Sequence, residues 1–240
     1  MEMHFATVWE ELADRLGDRP AISHGDVTRS WADYDERAAR LAAAYAEAGL
    51  GPDSKIALFL YNGNEYMEAQ YGAFKLRGVP INVNYRYLDQ ELWYLLDNSD
   101  AEALVFHSSL GDRVAHVIDR LPDLRLLIEV DDGDTGRVDD AVANEDVVAG
   151  HDPLPRTTRA EDDVYMLYTG GTTGMPKGVM YAIGGLTAGL AGAAFPVLGL
   201  APPTTAAELV ASVERVTAEG ADTVSIPCAP LMHGTGLRLG

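Results

Sequence analysis

The sequence predicts an α/β fold of largely parallel sheets covered by helices. Three observations carry that expectation. Short apolar runs of strand length alternate with longer runs of helical period, the apolar runs are near-continuous as in strands buried on both faces, and glycine follows several of the helical runs.

Phe5, Val8, Trp9, Leu12 and Leu16 fall on one face of a first helix, and Gly17 suits its stop. Ser30 followed by Asp33 has the spacing of a capping box, with Asp in the Glu place. Ala38, Leu41, Ala42 and Tyr45 continue that second helix to Gly49. Residues 55–60 then read as a buried strand, 65–77 as a helix stopped by Gly78, 79–83 as a strand and 89–97 as a helix. Residues 103–106, 110–121 and 124–130 repeat the scheme as strand, helix and strand. The acidic run from Asp131 to Asp140 reads as an exposed loop, since it lacks the ligand spacing and final Glu of an EF-hand. A connector with Pro153 and Pro155 follows, and a new strand starts at Asp163. Residues 205–219 read as an amphipathic helix and 223–226 as a short strand. The expected division is a subdomain at 1–160 and the start of a second, incomplete one at 161–240.

Composition narrows the function. The 240 residues are 47% hydrophobic and 23% charged, as in globular chains. A formal charge of -19, from 37 acidic and 18 basic residues, disfavours a general basic surface for nucleic acid or anionic membrane. It leaves room for a nucleotide, because a phosphate site can be built from backbone N–H groups and one lysine. The single cysteine, Cys228, has no partner for a disulfide and lies in an apolar run, which favours a buried packing role. The first residues carry neither a basic nor an apolar signal region, so a cytoplasmic location is expected. Residues 178–207 contain no charge and are long enough to span a bilayer, but glycines and prolines interrupt them. A buried helix or the wall of an apolar pocket is the expectation, with no transmembrane segment.

The chemistry concentrates in Tyr165-Met166-Leu167-Tyr168-Thr169-Gly170-Gly171-Thr172-Thr173-Gly174-Met175-Pro176-Lys177-Gly178. An apolar strand runs into glycines, which let the backbone approach a ligand with no Cβ in the way. Successive N–H groups can then converge on anionic oxygens. Thr169, Thr172 and Thr173 add hydroxyls, and a Thr hydroxyl can also reach a magnesium ion. Lys177 adds a mobile positive charge. Pro176 before the lysine and Gly178 after it exclude a Walker A loop, and no G-x-G-x-x-G follows a strand. No G-x-S-x-G elbow supports a serine hydrolase, and His4, His24, His107, His116 and His151 lack zinc-ligand spacing.

Tyr168 to Gly178 resembles the phosphate-binding signature of the acyl-adenylate-forming superfamily, with Gly170 where Ser or Thr is usual. Ser30-Trp31-Ala32-Asp33-Tyr34, with Leu41 and Gly49 downstream, is similar to that family's N-terminal helix start. Pro230-Leu231-Met232-His233-Gly234 is similar to its second core motif, whose aromatic or His position borders the acyl pocket. The resemblance covers the whole chain and implies the N-terminal part of a large α/β domain. It implies ATP and magnesium at Thr169 to Lys177 (Thr169, Gly170, Gly171, Thr172, Thr173, Gly174 and Lys177), and an acyl-adenylate pocket at His233 and Gly234. No residue is assigned as a nucleophile, because positioning and electrostatics suffice. The implied reaction joins a carboxylic acid, expected to be a fatty acid, to AMP and then to CoA as second substrate. An aryl-acid or amino-acid adenylation enzyme is the alternative. Amino-acid activation would want an Asp just past His233, and residues 234–240 hold no acid. A non-catalytic nucleotide-binding fragment is the other alternative. The family's ribose Asp, magnesium-binding Glu and small C-terminal lid domain with its catalytic Lys are all expected beyond Gly240, so the chain reads as truncated, and little ligase activity is expected of it alone.

Overall fold

A computed structural model of the chain describes residues 2–134, 138–169, 175–221 and 223–234. Helix α1 (Phe5–Leu16) is followed by a hairpin of β1 (Pro20–His24) and β2 (Val27–Ser30), then by α2 (Trp31–Glu47). The alternating part comprises β3 (Lys55–Phe59), α3 (Asn64–Lys75), β4 (Val79–Asn82), α4 (Asp89–Asn98), β5 (Ala101–His107), α5 (Gly111–Ala115) and β6 (Leu126–Val130). It continues through β7 (Val142–Ala143), α6 (Asn144–Gly150), β8 (Val164–Thr169), β9 (Lys177–Ala182), α7 (Ile183–Val197) and α8 (Ala206–Ala218).

Seven strands form one sheet in the order β7-β6-β5-β3-β4-β8-β9. All pairings are parallel except β8 with β9. Strand β3 shows why its sequence has no polar alternation. Ile56 and Leu58 pack with Leu41 and Tyr45 of α2 and Tyr66 of α3, while Ala57 and Phe59 pack with Leu92, Leu95 and Leu96 of α4. Both faces are covered, as a parallel sheet requires. The expected capping box at α2 is complete: Ser30 Oγ accepts from Asp33 N at 3.0 Å, and Asp33 Oδ2 accepts from Ser30 N at 3.2 Å.

Some elements differ from their sequence expectation. Residues 110–121 form the single turn α5 flanked by two short 3-10 turns instead of one helix. Residues 223–226 form no strand, and Cys228 is exposed instead of buried. Only Leu231 and Met232 of that last stretch are buried, so the apolar run around the thiol has no core to enter. At the end of α3 it is Arg77, with φ 63°, that takes the left-handed turn. Gly78 is needed for space, because a Cβ there would stand 2.6 Å from Ile56 Cδ1. The charge-free stretch 178–207 becomes β9, α7 and a connector, and no described helix is long and apolar enough to cross a membrane.

A buried ionic cluster fixes α1 to the sheet layer. The Glu10 carboxylate accepts from Lys75 Nζ at 2.9 Å and from both Arg159 terminal nitrogens at 2.7 Å. Lys75 also meets Asp35 at 2.7 Å. The charges are paired and hydrogen-bonded, the condition under which burial is tolerated. His4 caps α1 from within the same region, its Nδ1 accepting from Ala6 N at 3.1 Å. Burial, helped by the nearby Arg159 charge, lowers its pKa from 6.5 to about 4. Below pH 6.5 the unfolded chain therefore takes up a proton that the folded chain refuses, and stability falls as pH drops towards 4. We expect this residue to contribute roughly 3 kcal/mol to that loss. The check is urea unfolding across the window against His4→Asn, which keeps a capping acceptor. The parent should lose stability more steeply; parallel profiles would remove His4 as the cause.

Candidate phosphate and acid site

The first crossover, through α3, places β4 on one side of β3. The next, through α4, returns to place β5 on the other. Where successive connections diverge in this way, the carboxyl ends of the strands border a crevice. The residues following those ends are Tyr61 and Asn62 after β3, Val83 to Tyr87 after β4, Ser108 and Ser109 after β5, and the glycine–threonine turn after β8.

Thr169 and Lys177 form the last registered pair of the β8–β9 hairpin, and both side chains are exposed. The turn they close contains Gly170, Gly171, Thr172, Thr173 and Gly174, which lie outside the described residues. Its base is anchored on both strands. Tyr94 of α4 donates its hydroxyl to the Pro176 carbonyl at 3.3 Å, and Tyr168 donates to Asn98 Oδ1 at 2.9 Å. Burial raises the Tyr168 phenol to about 12, so it remains a donor at any physiological pH. Gly178 lies flat against β8: a Cβ there would stand 2.9 Å from Met166 Sδ and 3.0 Å from the Tyr168 ring.

The structure also brings the 230–234 segment to this strand. Leu231 and Met232 are buried and His233 is exposed. A Cβ on Gly234 would touch Leu167 Cδ1 at 3.4 Å, which sets that residue against β8. His233 and the hairpin mouth are thus on neighbouring pieces of chain.

Sequence reading passed over the two residues that make this neighbourhood. Asn82, buried at the end of β4, accepts from Tyr168 N at 2.8 Å and donates to the Met232 carbonyl. Asn62, after β3, accepts from Leu231 N at 2.8 Å. The signal was present: Asn82 is a polar residue closing the apolar strand Val79-Pro80-Ile81, where packing alone asks for no carboxamide.

Two further features surround the site. Tyr61 stacks between Tyr85 and His107, at centroid distances of 4.9 and 5.2 Å. His107 is held as a neutral acceptor, its Nδ1 receiving Tyr61 N at 3.1 Å, and burial lowers its pKa. Beside Asn62 and Leu231 opens a cavity of about 670 Å³ between α1, the β1–β2 hairpin, α3, β8 and α7. Its walls are mostly apolar, with Trp9, Ile22, Met67, Leu186 and Leu190 among them. Among the described residues no group of three or more His, Cys, Asp or Glu is placed to hold a metal ion.

Residues 9–239 match the family described as AMP-binding enzyme. A medium-chain acyl-CoA ligase from Mycobacterium avium is 41% identical over 72% of this chain and 34% of its own length. A 3-oxocholest-4-en-26-oate–CoA ligase from Rhodococcus rhodochrous is 34% identical over 98% of this chain and 42% of its own. The chain therefore spans 34–42% of the length of these relatives. In fold it is similar to a long-chain-fatty-acid–CoA ligase from Archaeoglobus fulgidus, with a TM-score of 0.71 and 20% identity over 100% of this chain and 44% of that one.

The hairpin geometry makes Gly178 a sensitive position. Gly178→Val should splay β9 from β8 and destabilise the chain by about 1–3 kcal/mol, the usual range for overpacking. Urea unfolding checks this; a variant as stable as the parent would show that the hairpin base tolerates a side chain there.

Proposed function

We propose that this chain, which belongs to the AMP-binding enzyme family over residues 9–239, supplies the triphosphate grip and part of the acid site of an enzyme that activates a carboxylic acid with ATP. The product is an acyl-adenylate, passed on to CoA as the thioester. The observation that carries the reading is the β8–β9 hairpin, which pairs Thr169 with Lys177 at the mouth of a glycine–threonine turn, beside the segment bearing His233.

The reaction sets the physical problem. A carboxylate must attack the α-phosphate of ATP in line with departing pyrophosphate, and both partners are anions. Charge must be offset, and the offset must be placed where charge builds on the leaving group. Gly170, Gly171 and Gly174 would present backbone N–H groups to the β- and γ-phosphates. Thr169, Thr172 and Thr173 would add hydroxyl donors, and Lys177 a movable cation. Magnesium would enter with the triphosphate, with Thr172 or Thr173 as the protein-side hydroxyl. His233 and Gly234 would border the acyl-adenylate. None of these groups needs to act as a nucleophile.

The acid is proposed to be apolar, a medium- or long-chain fatty acid or an acid of comparable hydrophobic bulk. Two things support that. The named relatives are ligases for a medium-chain acyl group and a sterol-derived acid, and the cavity beside Leu231 is walled mainly by apolar side chains.

Lys177→Ala should weaken binding of magnesium–ATP to this chain by about tenfold or more, equivalent to about 1.4 kcal/mol per decade. Isothermal titration calorimetry checks it. Unchanged affinity would show that the lysine does not face the triphosphate.

A further inference from the structure

Residues 229–233 belong to no sheet, yet Leu231 and Met232 are buried. A buried backbone without a ladder must find other partners for its polar groups, because an unpaired buried donor or acceptor loses its hydration without compensation. Here the partners are side chains. Asn62 Nδ2 donates to the Ala229 carbonyl at 3.4 Å and its Oδ1 accepts from Leu231 N at 2.8 Å. The Tyr66 hydroxyl donates to the Leu231 carbonyl at 3.2 Å, and Asn82 Nδ2 donates to the Met232 carbonyl.

The same Asn82 carboxamide serves the phosphate strand. Strands β4 and β8 share a single registered pair, Ile81 with Met166. Strand β4 ends one residue later, at Asn82, and the Asn82 side chain makes the next bonds to β8. Its Oδ1 accepts from Tyr168 N at 2.8 Å, and its Nδ2 lies 3.4 Å from the Tyr168 carbonyl. Tyr168 directly precedes Thr169, and Met232 directly precedes His233. One buried amide group therefore bonds the residue before Thr169 and the residue before His233. Packing would be served as well by Leu at this position; only a group with both a donor and an acceptor can hold two backbones at once.

We propose that Asn82, assisted by Asn62, is a positioning residue that joins the strand leading into the triphosphate turn to the segment carrying His233, so that the two halves of the site move as one unit. This rests on the triphosphate reading given above. Neither residue touches the reacting atoms. Their contribution is to fix the distance between the anion-binding turn and the acid-facing histidine, which in-line transfer requires.

The test uses this chain, inorganic pyrophosphate as probe, and the His233 imidazole signals in nuclear magnetic resonance as reporter, assigned with His233→Gln. In the parent, pyrophosphate should bind and shift those signals. In Asn82→Leu the pyrophosphate affinity should change by less than about threefold while the His233 response falls to less than about half, a loss of coupling separate from a loss of binding. Asn62 is only half-buried, so Asn62→Ala gives a second reading should Asn82→Leu fail to fold, and it too should reduce the response. If the parent binds pyrophosphate but His233 does not respond, or responds equally in the folded variants, the positioning role is overturned and the triphosphate reading stands. If the parent binds no pyrophosphate, the triphosphate reading itself falls, and the positioning role with it.

Discussion

Where a strand ladder ends, backbone polar groups need other partners, and beside β8 one buried carboxamide supplies them. After the single pair between Ile81 and Met166, strand β8 is held at Tyr168 by the Asn82 side chain rather than by the β4 backbone. On its other side β8 pairs antiparallel with β9 along its whole length, while the rest of the sheet is parallel. Thr169 and Lys177, the last registered pair of that hairpin, lie at the carboxyl end of β8, the side on which α/β sheets place their ligands. The layers beneath have α2, α3 and α6 on one face and α4 and α5 on the other.

The electrostatics follow the same division. The chain is strongly acidic overall, so positive charge near the turn must be local. Several cations of the N-terminal layer are already committed: Lys75 and Arg159 to Glu10, Arg77 to Asp163, and Arg37 to Glu68 and Glu145. Lys177 sits exposed at the hairpin mouth instead.

Where local physics decided the structure, the sequence could be read. The capping box at Ser30 and Asp33 is a three-residue rule, and it formed with both hydrogen bonds. The apolar runs of β3, β4 and β5 announced a sheet covered on both faces. The β1–β2 hairpin was harder, because its strands are largely exposed and carry no apolar run; only the Gly25-Asp26 turn marked it. Strand β9 was hidden inside a charge-free stretch that extends into α7. Cys228 misled because an apolar neighbourhood in sequence was not one in space. Within the site, Thr169, Lys177 and His233 were legible as motif residues. Asn82 showed only as a polar residue closing an apolar strand, and the partners of Asn82 and Asn62, up to 169 positions away, leave no record in a one-dimensional pattern.

The central claim is that the turn between Thr169 and Lys177 wraps the phosphate tail of a nucleotide. A crystal structure of the chain grown with ATP tests it most directly. The expected result is triphosphate oxygens within hydrogen-bond distance of the backbone N–H groups of 170–174 and of Lys177 Nζ. Contradiction would be a turn whose amides are bonded to protein, with ATP bound elsewhere or not at all.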